Sequence, residues 1–186
     1  MTHKAKLAVL TLVAGLAIGA CGRRPEPETP APQPEPTPPA QPSDDAERAR
    51  REAEERARRE AEERARARAA LEAMIHFDFD RADLRPDARQ VLDAKIPILR
   101  NDPSIRLRIE GHADERGSVE YNLALGMRRA NAAKQYLASF GLDESRFETV
   151  SFGEERPLDP GHNEEAWAKN RRAEFRITAG SLAGQP

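Results

Sequence analysis

Asp114 and Arg129 stand fifteen residues apart, the first just past an alternating apolar run and the second inside a helical one. A carboxylate accepts hydrogen bonds from an ammonium, and a guanidinium takes a carboxylate through two parallel N–H bonds. By themselves, a carboxylate and a guanidinium so far apart in sequence say little about a ligand. A structural salt bridge is the favoured reading of that spacing alone. Other chemistry is less well provided for. His112 and Asp114 are two apart, as metal ligands can be, but no third histidine or cysteine has ligand spacing. His76 reads as strand surface, and His162 as a loop residue beside Gly161. Gly111 to Gly117 bound a loop that lacks the lysine of a phosphate-binding loop. No carboxylate lies in an apolar run of the kind that raises the pKa of a catalytic acid. The expectation is a binding protein with no metal or cofactor, not an enzyme.

The elements that must position these groups follow from periodicity. Ile75, Phe77 and Phe79 alternate with polar residues and predict a strand over 74–80. Pro86 suits a first helical turn, and Ala88, Val91, Leu92, Ile96 and Leu99 supply an apolar stripe to about Asn101, with Pro97 a possible kink. Ile105, Leu107 and Ile109 mark a second strand that ends at Gly111. After the loop 112–121, a helix is expected from Asn122 to Phe140, stopped by Gly141. Strands over 147–152 and 173–177 flank a short helix that Asn163 can cap. This order implies a two-layer α/β sandwich with helices packed on a four-stranded mixed sheet over 74–178, then a flexible tail over 179–186.

Three segments of another kind precede it. Arg-Ala-Arg-Arg-Glu-Ala-Glu-Glu occurs at 48–55 and again at 56–63, and Ser43 can cap the helix expected over 43–73. Glu47–Arg51, Glu52–Arg56, Glu54–Arg58, Glu55–Arg59, Glu60–Arg64 and Glu62–Arg66 have the favourable i,i+4 order, worth about 0.2–0.5 kcal/mol per pair. Large apolar residues at heptad positions are missing, so a free rod about 45 Å long is expected, not a coiled coil. Before it, alternating prolines over 23–42 predict an extended polyproline spacer. The chain opens with Lys4 and Lys6, an apolar run from Leu7 to Ile18, then Gly19-Ala20-Cys21. That run is too short to span a bilayer, and Leu16 to Cys21 resembles a bacterial lipobox. The expectation is a lipoprotein signal over 1–20, with Cys21 acylated and inserted in lipid. Gly22 in place of aspartate favours the outer membrane, facing the periplasm.

Of the 186 residues, 33% are charged and 38% apolar, with mean hydropathy −0.77 and a formal charge of −2. That near-balance provides no general field for nucleic acid. The lone cysteine excludes an internal disulfide and a cysteine-based zinc site. A core can form only from about residue 73 onward, enough for one ordinary domain.

Four stretches carry a family resemblance: Phe77-Asp78-Phe79-Asp80, Glu110 to Gly117 (Glu-Gly-His-Ala-Asp-Glu-Arg-Gly), Tyr121 to Ala130 (Tyr-Asn-Leu-Ala-Leu-Gly-Met-Arg-Arg-Ala) and Lys169 to Glu174 (Lys-Asn-Arg-Arg-Ala-Glu). In this order they resemble the OmpA-like peptidoglycan-binding domain over 75–178. The Glu-Arg-Gly of the loop and the Leu-Gly-Met-Arg-Arg-Ala of the helix are similar to its lipoprotein members. Gly126 replaces a serine common elsewhere in the family. The resemblance implies that Asp114 and Arg129 grip the meso-diaminopimelate of a peptidoglycan stem peptide. It implies that Phe79 and Asp80 line the same pocket, with Asn122 and Leu125 flanking it. Arg116 would reach the ligand from the loop or else be only solvated, and Asn170, Arg171 and Arg172 would be mainly structural. For Phe79 and Leu125, core packing is the competing reading. As partners the resemblance implies peptidoglycan, and TolB with the other Tol proteins on an overlapping surface, serving envelope integrity and constriction at cell division. The alternatives are an envelope lipoprotein of this fold without a Tol partner, and a peptidoglycan hydrolase. Arg129→Ala is expected to leave the domain folded.

Overall fold

The computed structural model describes residues 43–182, so the leader, Cys21, the proline stretch and residues 183–186 lie outside the described residues. The elements are α1 (Asp44–Glu72), β1 (Ile75–His76), α2 (Pro86–Asn101), β2 (Arg106–His112), α3 (Val119–Ser139), β3 (Phe147–Gly153), α4 (Glu164–Asn170) and β4 (Arg172–Ala179). The sheet order is β1-β4-β2-β3. β2 and β3 are parallel, joined by the α3 crossover, and β4 lies antiparallel to both β1 and β2. This is the mixed sheet and two-layer sandwich expected.

Strand alternation and helix periodicity meet in one core. Leu107 and Ile109 of β2 and Phe175 of β4 are buried together with Leu92 and Leu99 of α2 and Ala130, Ala133 and Leu137 of α3. Small residues bring α3 unusually near the sheet. A Cβ on Gly111 would stand 1.8 Å from the Gly126 carbonyl oxygen, and one on Gly126 would stand 2.3 Å from Ser151 Oγ. Backbone therefore lies on backbone at the end of β2, which draws the loop after β2 against the middle of α3.

Three boundaries differ from the sequence reading. The first strand pairs only through Ile75 and His76. One further bond, Phe77 N–H to the Arg171 carbonyl at 2.9 Å, extends it before Asp78 accepts from Arg81 N–H in a turn. Asp80 in that turn has φ 55°, so the alternation breaks and leaves Phe77 buried and Phe79 exposed. Helix α3 begins at Val119, not Asn122, because Ser118 Oγ caps it by accepting the Tyr121 N–H. Residues 179–182, read from sequence as the start of a flexible tail, lie against the domain. Ala179 completes β4, Leu182 packs on the core, and Ser181 Oγ donates to Asp102 at 2.5 Å.

Helix α1 starts at the Ser43 cap and is exposed along most of its length. Two of the six expected pairs form, Glu47–Arg51 and Glu55–Arg59, while Arg58 and Arg68 instead reach forward to Glu62 and Glu72. The rod is not free at its base: Leu71 is fully buried in the domain core. Among the described residues no helix is long and apolar enough to cross a membrane.

Candidate functional site

A pocket of about 270 Å³ opens where the turn after β1, the loop after β2 and the first half of α3 converge. Its walls are Phe79, Asp80, Asp114, Arg116, Asn122, Leu125 and Arg129, together with Gly117 and Tyr121. The seven residues that the resemblance implies for the ligand pocket thus share one cavity. Gly117 and Tyr121 were not singled out from sequence, although Gly117 closes one quoted motif and Tyr121 opens another. Gly117 has φ 123°, a conformation that favours glycine, and it turns the loop toward α3. The Tyr121 hydroxyl donates to Asp80 and ties the β1 turn to the helix.

Asp114 is held where β2 gives way to its loop. The preceding Ala113 N–H donates to the Gly153 carbonyl at 2.8 Å. One carboxylate oxygen accepts from the backbone N–H and Nε of Arg116, both at 3.2 Å. The other accepts from Arg116 Nη2 at 2.7 Å and Arg171 Nη1 at 3.1 Å. Four donors fill the four lone-pair positions of a carboxylate. Burial raises the Asp114 carboxyl, but the bonds from Arg116 and Arg171 outweigh it and hold it below the usual carboxylate range.

Arg129 is fully buried. Its Nε donates to the Arg81 carbonyl at 2.9 Å, Nη1 to that of His112 at 2.7 Å and Nη2 to that of Asp78 at 3.1 Å. Three of five N–H groups are used, leaving one on each terminal nitrogen. Burial pushes the guanidinium down to about 10, with Asp114 opposing, so it stays charged near neutrality.

Arg116 lies between two aromatic faces, 3.9 Å from the Phe79 ring centre and 4.2 Å from that of Trp167. Glu164 is a second anionic partner at 3.4 Å. Phe79 is therefore neither core nor idle surface: its exposed ring supports the guanidinium that covers Asp114. Leu125 is 5% exposed and lines the pocket while packing. Asn122 Nδ2 donates to Glu154 at 2.5 Å and fixes that wall.

Arg172 is structural, as expected, donating to the Asn170 and Arg156 carbonyls. Arg171 does more, bonding the Phe77 carbonyl, Glu164 and Asp114 and so backing the pocket from behind. Its place near a helix end does not announce this role, because Asp114 is 57 residues away.

On the face of β2 away from the helices, Glu110, His112 and Glu174 converge with ligand atoms within 4.8 Å of one another. Sequence spacing did not reveal this trio, since Glu174 arrives from β4 opposite Glu110. Arg172 holds Glu174 at 2.6 Å, and Arg176 bonds Glu174 at 3.1 Å while standing 3.7 Å from Glu110. Two carboxylates already face two guanidiniums, so the cluster is neutral as it stands, and a divalent ion would introduce uncompensated charge. His112 stacks on Phe152, and neither ring nitrogen has a hydrogen-bond partner among the described residues. Burial, followed by Arg172, pushes its pKa down to about 4.

A model of the OmpA family matches residues 76–171, more than half of the chain. The chain is 48% identical over 99 residues to a protein named peptidoglycan-associated lipoprotein from Haemophilus influenzae, and 46% identical over 110 residues to one of that name from Pseudomonas aeruginosa. Those stretches cover 53% and 58% of this chain and 65% of the length of each relative, just under two thirds. The crystal structure of the peptidoglycan-associated lipoprotein from Burkholderia pseudomallei superposes with a TM-score of 0.55 at 38% identity. That match covers 56% of this chain and 88% of the other.

Proposed function

The chain belongs to the OmpA family, and from that premise we propose that its pocket receives the side-chain end of meso-diaminopimelate in a peptidoglycan stem peptide. One observation carries the reading: a buried, fixed guanidinium with two N–H groups in hand shares a cavity with an ionised carboxylate. That end of diaminopimelate carries an ammonium and a carboxylate on one carbon. Arg129 takes the carboxylate through parallel bonds, and Asp114 takes the ammonium. Because Asp114 is saturated with donors, the ammonium exchanges places with the Arg116 guanidinium, which retains Glu164 and two aromatic faces as supports. Asp80, Asn122, Leu125 and Phe79 shape the remaining walls. Asp114, kept ionised by arginines, holds no proton for a leaving group and so is not a general acid.

The shared name of the relatives supports extending this reading to the whole protein. Cys21 is the acylated anchor in the outer membrane, the domain faces the periplasm, and proline spacer and α1 set its distance from the membrane. Wall and TolB compete for overlapping surface, so the lipoprotein alternates between them and couples outer membrane to wall during constriction.

The test uses the full chain carrying Cys21→Ser, incubated with diaminopimelate-type sacculi. Co-sedimentation without soluble fragments is expected. Failure to co-sediment overturns the ligand assignment, and released fragments would reveal a hydrolase. Retention of TolB with and without muropeptide tests the alternation, and simultaneous binding of both would overturn it.

A further inference from the structure

The last carbonyls of a helix have no partner within it, and a cation near that end is favoured. Helix α1 has no basic residue in its last turn. The cation comes instead from α2. Lys95 is fully buried, and its Nζ donates to the carbonyls of Ala70 at 2.8 Å, Leu71 at 3.0 Å and Ala73 at 2.7 Å. Three donors meet three acceptors, and none remains over. The Phe175 ring of β4 supports the ammonium at 4.2 Å, and the neighbouring Leu71 side chain is buried in the core.

We propose that Lys95 is a clasp that makes α1 a rigid lever of the domain. Two of the carbonyls lie in the last turn of α1 and the third just beyond its end, so one nitrogen fixes both the helix terminus and the chain leaving it. A helix joined only through residues 73–74 would pivot there. With the clasp closed, a load or rotation applied along α1 passes into α2 and β4 and is not absorbed at a loose joint. Burial pushes the Lys95 ammonium down to about 7, a penalty tolerated because the carbonyls take the place of water. The inference is independent of what the pocket binds.

The test places nitroxides at Ala61→Cys and Glu148→Cys, both exposed positions, in the full chain carrying Cys21→Ser, and reads the distance distribution by pulsed electron resonance. A single narrow peak is expected, and Lys95→Met should lose it while the far-ultraviolet spectrum stays that of a folded domain. A broad distribution in the parent chain overturns the proposal, as does a narrow one in Lys95→Met. Should Lys95→Met fail to fold, Lys95→Gln, which keeps two donors on a shorter arm, reads the same distance. Broadening supports the clasp and an unchanged peak refutes it.

Discussion

Gly111 and Gly126 touch backbone to backbone, three residues before Asp114 and three before Arg129. A Cβ on Gly111 would come within 1.8 Å of the Gly126 carbonyl oxygen and 2.5 Å of its carbonyl carbon. Neither atom can swing aside as a side chain would. Gly111→Ala must separate β2 from α3, moving Asp114 away from Arg129, and should cost more than about 4 kcal/mol or prevent folding. Gly141 makes a useful contrast. It has φ 82° but nothing within 4 Å of an added Cβ, so Gly141→Ala should cost only about 1–2 kcal/mol of left-handed strain. Chemical denaturation of both variants checks the ordering, and equal losses would contradict it.

Arg129 is as much a structural tie as a ligand group. Removing it leaves the Asp78, Arg81 and His112 carbonyls without their charged donor. The sequence reading, in which Arg129→Ala leaves the domain folded, treats the side chain as one polar contact. With three carbonyl bonds lost at once, the expected loss is instead about 3–5 kcal/mol. A denaturation midpoint equal to that of the parent chain would restore the simpler view. Binding assays on Arg129→Ala are interpretable only alongside this measurement.

His112 makes the domain sensitive to acid. Its folded pKa is about 4 against an ordinary value of 6.5, so between these values the unfolded chain binds a proton that the folded chain refuses. The stabilising effect is complete above pH 6.5 and is lost as the pH falls toward 4, to an extent of about 3 kcal/mol at most. Asp114 and Glu174, both held low, act in the same direction at still lower pH. Stability against pH for the parent chain and for His112→Phe, which keeps the stacking on Phe152, separates the contributions. The variant should show a shallower decline between pH 6.5 and 4, and parallel curves would remove His112 from the account.

What sequence made legible were side chains within contiguous motifs, namely Phe79-Asp80, Asp114 to Arg116 and Asn122 to Arg129. Each such motif spans one strand end or a few helical turns, so local spacing conveys which side chains share a face. The helices and the sheet were legible for the same reason. Partners supplied by backbone were not. Arg129 reaches carbonyls 48 and 51 residues away, and Lys95 reaches carbonyls more than 20 residues upstream. A carbonyl has no residue signature, so no pattern of types points to it. The shortened β1 has another cause: Asp80 with positive φ ends an alternation that residue types alone would continue.

The most direct test of the proposed chemistry is discrimination between walls. Lysine in place of diaminopimelate keeps the ammonium and lacks the carboxylate, so it forfeits the bonds to Arg129. A hydrogen bond to a charged group contributes about 1.5–3 kcal/mol, which predicts binding to lysine-type wall weaker by roughly 10- to 150-fold. Arg129→Lys keeps the positive charge but replaces the fork by a point charge, with fewer donors for the same three carbonyls and none aligned for a carboxylate. Its preference for diaminopimelate-type wall should therefore shrink toward parity, while affinity for lysine-type wall changes little. Sedimentation with the two wall types, on protein shown to be folded, measures both ratios. If Arg129→Lys prefers diaminopimelate as strongly as the parent chain does, the two remaining N–H groups of Arg129 do not read the carboxylate, and recognition must come from Arg116 or the turn at Phe79 and Asp80.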